Sequence, residues 1–218
     1  GIDLNVSDNG NGNNASNSTK VIGLPFTFYF YGQPYDEISV STNGWIAPGR
    51  TGMISFRNYP IPGAGGPSPM IAAFWDDMKT SSSGDVFYKV QDFGGGNSSI
   101  IIEWSDMRTY DNNSEEDFQV ILSPNENSET GDGDIKIQYK EFNNTSNGNY
   151  PEGGTPTHGC YATIGIENKF GNEGLQYSFN SEYPIAAMSL YDGSAILITT
   201  ETPFTYISGD TNLDGLLN

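Results

Sequence analysis

The sequence holds a single cysteine, Cys160, and a single histidine, His158. One cysteine excludes a disulfide within the chain and any Cys-rich zinc site. One histidine excludes a cluster of imidazole metal ligands. Positive charge is scarce too: 9 Lys and Arg stand against 27 Asp and Glu, a formal net charge of −18. Such a surface repels phosphate backbones, so no nucleic acid partner is expected, and it disfavours docking on anionic lipid. Long apolar runs are missing. The longest, Met70-Ile71-Ala72-Ala73-Phe74-Trp75, is far too short to cross a bilayer, so no membrane insertion is expected. A sustained 3.6-residue apolar period is also missing; the best helical candidate is a short stretch around Pro184–Leu190.

What is present is an aromatic content of 13% with 27 glycines and abundant Asn, in a chain of 218 residues. Short aromatic runs punctuated by Asn and Gly read as all-β. Phe26, Phe28 and Phe30 alternate with Thr27, Tyr29 and Tyr31, the period of a strand with one face toward a core. Ile38 and Val40 continue the theme, and Val86–Val90 is the next candidate. Further alternations are Ile100-x-Ile102-x-Trp104, Phe118-x-Val120-x-Leu122 and Ile135-x-Ile137-x-Tyr139. Ala162-x-Ile164-x-Ile166, Leu175-x-Tyr177-x-Phe179 and Ala195–Thr199 complete the set. Asn43-Gly44, between apolar flanks, suits a type I′ hairpin turn. The Pro- and Gly-rich residues 57–69 read as a long ordered loop, because strand signals resume directly after them. About ten or more antiparallel strands at this spacing predict a β-sandwich in one domain, residues 20–206. Residues 1–19 form a polar lead with room for one short strand at Ile2–Val6, and residues 207–218 form a separate tail.

Three constellations could carry chemistry. His158 and Cys160 lie two apart, but the Cys-His pair of a hydrolase comes from separate segments, so they read as a loop histidine beside a buried structural cysteine. Glu103 beside Trp104, and Asp76-Asp77 after Phe74-Trp75, could form a cleft in which carboxylates meet an aromatic sugar platform. Trp75, Asp76, Asp77, Glu103 and Trp104 are therefore candidate ligand-site residues. The plainer reading has Asp76 and Asp77 capping a turn, Glu103 facing solvent and both tryptophans in the core. The tail carries the third constellation. Asp210-x-Asn212-x-Asp214-Gly215-x-x-Asn218 has the first nine positions of an EF-hand-type calcium loop. Hard oxygen ligands at alternate positions come from Asp210, Asn212 and Asp214, the Leu216 carbonyl and Asn218, and Gly215 permits the bend. Calcium is the expected cofactor. Asp8–Asn14, rich in Asp, Asn and Gly, could wrap a cation as well, although a solvated loop is the simpler reading.

The tail resembles the opening of a dockerin repeat over residues 209–218, which implies tethering of a secreted protein when the rest of the repeat follows. The body carries a second resemblance. Pro25-Phe26-x-Phe28-x-Phe30-Tyr31-Gly32 leads into Ser41-Thr42-Asn43-Gly44-Trp45, then Pro69–Asp77 and Val86-Phe87-Tyr88. Over about residues 22–200 this is similar to the nidogen-like extracellular domain, and to β-rich modules appended to large secreted bacterial proteins. The resemblance implies a non-catalytic extracellular or cell-surface module of a larger prokaryotic protein. A protein or glycan ligand, or self-association, is then expected, with calcium relieving part of the self-repulsion of −18 charges. Two alternatives remain: a structural subunit of an extracellular filament or layer, and a glycan hydrolase using the carboxylates near Trp75 or Trp104. Sequons at Asn5, Asn14, Asn17, Asn97, Asn112, Asn143 and Asn144 are what so Asn-, Ser- and Thr-rich a chain produces by chance.

Overall fold

The computed structural model describes residues 1–12, 18–80, 83–94, 96–125, 127–148 and 158–201. Every regular element among them is a strand. In chain order these are β1 (Ile2–Asp3), β2 (Thr19–Phe30), β3 (Gln33–Ser41), β4 (Trp45–Pro48), β5 (Met70–Trp75), β6 (Met78–Lys79) and β7 (Asp85–Gly94). They continue with β8 (Asn97–Thr109), β9 (Glu115–Ser123), β10 (Asp134–Glu141), β11 (Thr163–Glu167), β12 (Gly174–Ser178) and β13 (Ala195–Ile198). Two antiparallel sheets face each other. One runs β1-β7-β8-β9-β10-β13 with β6 also on β8, and the other runs β12-β11-β5-β4-β3-β2. This is the β-sandwich that the alternating pattern demands.

The core between the sheets is built from the period-two faces. Phe28, Phe30, Ile38, Val40 and Ile164 meet Val86, Ile102, Trp104, Phe118, Val120 and Ile137. Trp104 stacks on Phe118 at 4.9 Å between ring centroids, and Phe118 on Phe74 at 5.6 Å. Burial of each such ring contributes about 1.5–3 kcal/mol. A second, smaller core lies on the outer face of the β5 sheet. Trp45, Met70, Ala72 and Trp75 pack there with Ile61 and Tyr59. The loop between β4 and β5 covers them, and its Ser55 carbonyl accepts both indole N–H groups, from Trp45 at 3.2 Å and Trp75 at 2.6 Å. The proline- and glycine-rich loop is thus a lid on a core. Trp45 packs beneath this lid, not beneath a neighbouring strand as its place after the turn suggests.

Several expectations change in detail. Ser41 pairs with Trp45, so Thr42-Asn43-Gly44 is a three-residue loop in which only Gly44 has positive φ, 72°. That is a turn closed by a left-handed glycine, not type I′. The Gly44 carbonyl accepts from both Ala73 and Phe74 N–H, at 3.0 Å each. Ala73 and Phe74 both join the inter-sheet core, and Trp75 turns outward to the second one. The described part of the lead, residues 1–12, is no solvated loop. Only Ile2–Asp3 is a strand, on β7, but Leu4 and Val6 reach the core. The buried Asp8 carboxylate accepts from Thr42 Oγ1 at 2.7 Å and Gly10 N at 2.8 Å, so it pins the lead to the Thr42 turn. Pro184–Leu190 forms turns, not a helix. Leu175, on β12 at the edge of its sheet among the described residues, is 52% exposed.

Candidate ligand-binding site

Strand directions sort the connections to the two ends of the sandwich. At one end the β2–β3 turn, the β9–β10 connection and the β11–β12 turn come together. The first is Tyr31-Gly32, a two-residue loop closing the Phe30–Gln33 pair. Its φ values of 48° and 68° are both positive, so the type I′ geometry expected of Asn43-Gly44 is found here. Asp132, in the second connection, accepts from Gly32 N at 2.7 Å and from Thr130 Oγ1 at 3.0 Å. The third turn is organised by the buried amide of Asn168. Its oxygen accepts from Phe170 N at 3.0 Å and Asn172 N at 3.3 Å. Its nitrogen donates to Asn172 Oδ1 at 2.9 Å and Glu173 Oε2 at 3.2 Å. An Asn side chain that bonds its own following backbone fixes a turn in one shape. Here it holds Phe170 outward, 73% exposed. Lys169 Nζ donates to Gln33 Oε1 at 2.8 Å and lies 5.1 Å from the Phe170 ring centroid, joining the third turn to the first.

These braces enclose a cleft of about 600 Å³ whose walls include Tyr31, Gln33, Asp132, Asn168, Phe170 and Asn172. Beside it, between the sheet edges, opens an apolar recess of about 210 Å³ formed by Phe30, Ile135, Ile166 and Ile198. Phe30, Tyr31 and Asp132 belong to both. The local field is negative. The Tyr31 hydroxyl is pushed above its usual range by burial and then by Glu173, Asp132 and Glu167. A mixed polar and aromatic wall on rigid strands can bind a small group.

The opposite end is closed and acidic. Asp76 follows β5 and is 3% exposed. Its Oδ1 accepts from Asp77 N at 2.7 Å, and its Oδ2 is buried without a hydrogen-bond partner. Burial, followed by the charges of Asp77, Asp111 and Glu116, drives its carboxyl well above the carboxylate range. Asp77 holds the lead by accepting from Asn11 N at 2.8 and 3.0 Å, and burial raises it to about 7. Glu116 is buried at the start of β9. It accepts from Ser114 Oγ, Asn143 N and Asn144 N, each at 2.9 Å, yet burial still raises it to about 7. Among the described residues, no three Asp, Glu, His or Cys side chains converge to hold a metal ion.

The structure scatters the sequence candidates. Trp75 lies beneath the lid loop and Trp104 in the inter-sheet core, where its indole donates to Ser41 O at 2.8 Å. Both are fully buried, so neither ring is a sugar platform. Glu103 is on the outer face of β8 and accepts from Gln119 Nε2 at 2.8 Å, away from Asp76 and Asp77 at the closed end. Asp77 does cap the Asn11 turn. Asp210, Asn212, Asp214, Leu216 and Asn218 lie outside the described residues. His158 stacks on Tyr59 at 5.1 Å, and burial followed by Asp76 and Asp111 pushes the Cys160 thiol up, away from the thiolate a nucleophile needs. Sequence reasoning missed Tyr31, Asp132, Asn168 and Phe170. The available signal was Phe170 itself, a large aromatic inside the turn-forming run Asn168-Lys169-Phe170-Gly171-Asn172.

Comparison with curated proteins finds no match, and neither does comparison with solved structures. The family model described as NIDO related matches residues 4–213, which includes the first part of the expected calcium tail. Phe28, Phe30, Trp45, Phe74 and Trp75, which carry the nidogen-like resemblance, are the buried aromatics that join the two sheets to the lid. With nearly its whole length matched, this chain belongs to the NIDO-related family.

Proposed function

We propose that the chain is a non-catalytic binding module whose ligand, a protein or a glycan at the cell surface, sits in the cleft between Tyr31, Asp132 and Phe170. Membership of the NIDO-related family supports an extracellular setting. The observation that carries the reading is Phe170, an aromatic ring held 73% exposed by the buried Asn168 amide at the mouth of the cleft. A turn whose backbone is already fixed loses less conformational freedom on binding, which favours affinity. The test compares ligands across glycan and protein arrays for the intact chain and for Phe170→Ala. A micromolar ligand whose affinity collapses in Phe170→Ala supports the module; a ligand indifferent to Phe170 and Tyr31 refutes this site. Turnover of a glycan substrate that is lost in Glu103→Gln would replace the module with a hydrolase.

Calcium belongs to the same proposal. Asp210, Asn212, Asp214, the Leu216 carbonyl and Asn218 have the spacing of a calcium loop, and a divalent ion relieves part of −18 charges of self-repulsion. A melting temperature that rises in millimolar calcium and falls in chelator supports it; identical curves refute it.

A second reading, self-association into a filament or layer, is favoured by one observation. Strand β13 is a sheet edge with an apolar sequence, Ala195-Ile196-Leu197-Ile198, and Leu197 is 62% exposed. Such edges template pairing with another chain. Light scattering in calcium and in chelator distinguishes the readings: large assemblies indicate a polymer, and a monomer in both leaves the module.

A further inference from the structure

The cleft has a chemistry more specific than "protein or glycan". We infer that it takes a neutral oligosaccharide, with a sugar ring seated on the exposed face of Phe170. The inference rests on the cleft being the binding site.

Three observations select this class. First, an anionic ligand is disfavoured on two scales. The whole chain carries −18, and the carboxylates of Asp132 and Glu173 line the cleft itself, adding to burial in raising the Tyr31 hydroxyl at its wall. Phosphorylated, sulfated and uronate-bearing ligands would enter against that field. Second, two of the places a cation would take, the face of Phe170 and the Asp132 carboxylate, are engaged from within. Lys169 Nζ already lies over the Phe170 ring and donates to Gln33, while Asp132 accepts from Gly32 N with one oxygen and from Thr130 with the other. The field that repels anions is thus partly answered by the chain's own lysine, which lowers the gain from a basic peptide. Third, apart from the Glu173 carboxylate and the Asn168 amide, which is spent on its own turn, the remaining polar wall is neutral. Gln33, Asn172 and Thr130 supply amides and a hydroxyl. Sugar hydroxyls likewise donate and accept, and the C–H face of a pyranose is apolar. A wall combining an aromatic ring with amides matches both faces of a sugar at once, as small-ligand sites do when an apolar surface is set with a few convergent polar groups.

The position of the ring supports this. The Phe170 N–H is bonded to Asn168 and the turn is braced to β2–β3 through Lys169, so the ring is presented before the ligand arrives. The apolar recess next to it, against Ile135 and Ile198, offers room for a methyl or acetyl substituent.

The experiment uses the full chain and three probe sets: neutral oligosaccharides of the cello-, xylo-, manno- and chito- series, their sulfated or uronate counterparts, and a deca-lysine peptide. Each is titrated calorimetrically at low and at physiological salt, against the intact chain, Phe170→Ala and Asn172→Ala. The expected result is binding of at least one neutral series, insensitive to salt, weakened about tenfold or more by Phe170→Ala and several-fold by Asn172→Ala. Unchanged far-ultraviolet dichroism and melting temperature in Phe170→Ala show that the fold persists. Preference for the charged glycans overturns the inference. Salt-dependent binding of deca-lysine that Phe170→Ala abolishes also overturns it, while leaving the cleft as the binding site. Neutral-glycan binding that both variants retain overturns the cleft itself. No neutral series binding at millimolar concentration overturns the sugar assignment, and the protein-array arm then decides whether the cleft still serves another ligand.

Discussion

The two ends of the sandwich use their polar residues in opposite ways. At the closed end Asp8, Asp77 and Glu116 turn their carboxylates inward, where they accept from the backbone N–H groups of Gly10, Asn11, Asn143 and Asn144. Their work is to hold the lead and the segment after β10 against the strands. At the open end Asp132 and Asn168 brace turns in the same manner, but the turns they fix present Tyr31 and Phe170 to a cleft instead of sealing it. The same chemistry, a side-chain acceptor on a backbone donor, closes one end and preorganises the other. The difference lies in what each turn carries outward.

Two glycines sharpen the comparison most. Gly44 at the closed end and Gly32 at the open end have nearly the same backbone, with φ of 72° and 68°. Around Gly32 there is nothing for a Cβ to meet, whereas at Gly44 a Cβ would collide with the Phe74 carbonyl. Gly32→Ala is expected to cost only the left-handed penalty, about 1–2 kcal/mol. Gly44→Ala adds overpacking and is expected to cost about 3–5 kcal/mol or to prevent folding. Urea denaturation of both variants checks this, and equal losses would erase the distinction between a sealed turn and an open one.

Glu116 comes next. Truncation to alanine leaves the part-buried N–H of Asn143 and the buried N–H of Asn144 without their acceptor. At about 1–3 kcal/mol for each orphaned group, Glu116→Ala is expected to lose about 2–4 kcal/mol in denaturant titration. Glu116→Gln keeps one acceptor oxygen and is expected to lose less. An alanine variant as stable as the parent would show that water replaces the carboxylate, and that this end is open after all.

The closed end also has a pH signature. Glu116 rises from 4.5 to about 7 and Asp77 from 3.8 to about 7, and Asp76 is also raised well above its usual value, all mainly by burial. The folded state therefore holds protons that the unfolded chain has released in this window. Stability is highest near pH 4–5 and falls as pH rises through about 7, by about 1–3 kcal/mol between pH 5 and 8 once partial solvent screening is allowed for. Urea midpoints at the two pH values measure it. Glu116→Gln and Asp77→Asn should each flatten the slope. A slope that persists in both closed-end variants would assign it to the general self-repulsion of the chain.

The strands and the two-sheet architecture were legible because a period of two needs no partner to be seen. Phe26-x-Phe28-x-Phe30 and Ile100-x-Ile102-x-Trp104 state which face is buried. The roles of the tryptophans were not legible. Trp75 is on the lid side because Ala73 and Phe74 both face the inter-sheet core, a local shift that alternation does not register. The site was missed for a related reason. Its residues come from three turns, the first about a hundred positions before the second, and they meet only because β2, β9 and β11 end together. Asp76-Asp77 beside tryptophan looked like a cleft, since acidity next to an aromatic reads the same whether the pair is buried or exposed.

Phe170 gives the smallest expected change in stability and separates the two ends most cleanly. Its ring is 73% exposed, and the turn that carries it is held by its backbone N–H and by Asn168, not by the ring. Removing the side chain therefore returns almost no apolar area to water. Phe170→Ala is expected to shift stability by less than about 0.5 kcal/mol, as at other exposed positions without special contacts. The one interaction at risk is the Lys169 ammonium over the ring, worth about 0.5–1 kcal/mol at an exposed site, and Lys169 keeps its bond to Gln33 when the ring is gone. A loss well beyond that in urea titration would show that the ring props the turn, making its exposure a structural accident. A loss within it leaves an aromatic side chain that the fold holds in water without needing it, which is the position a ligand contact would occupy.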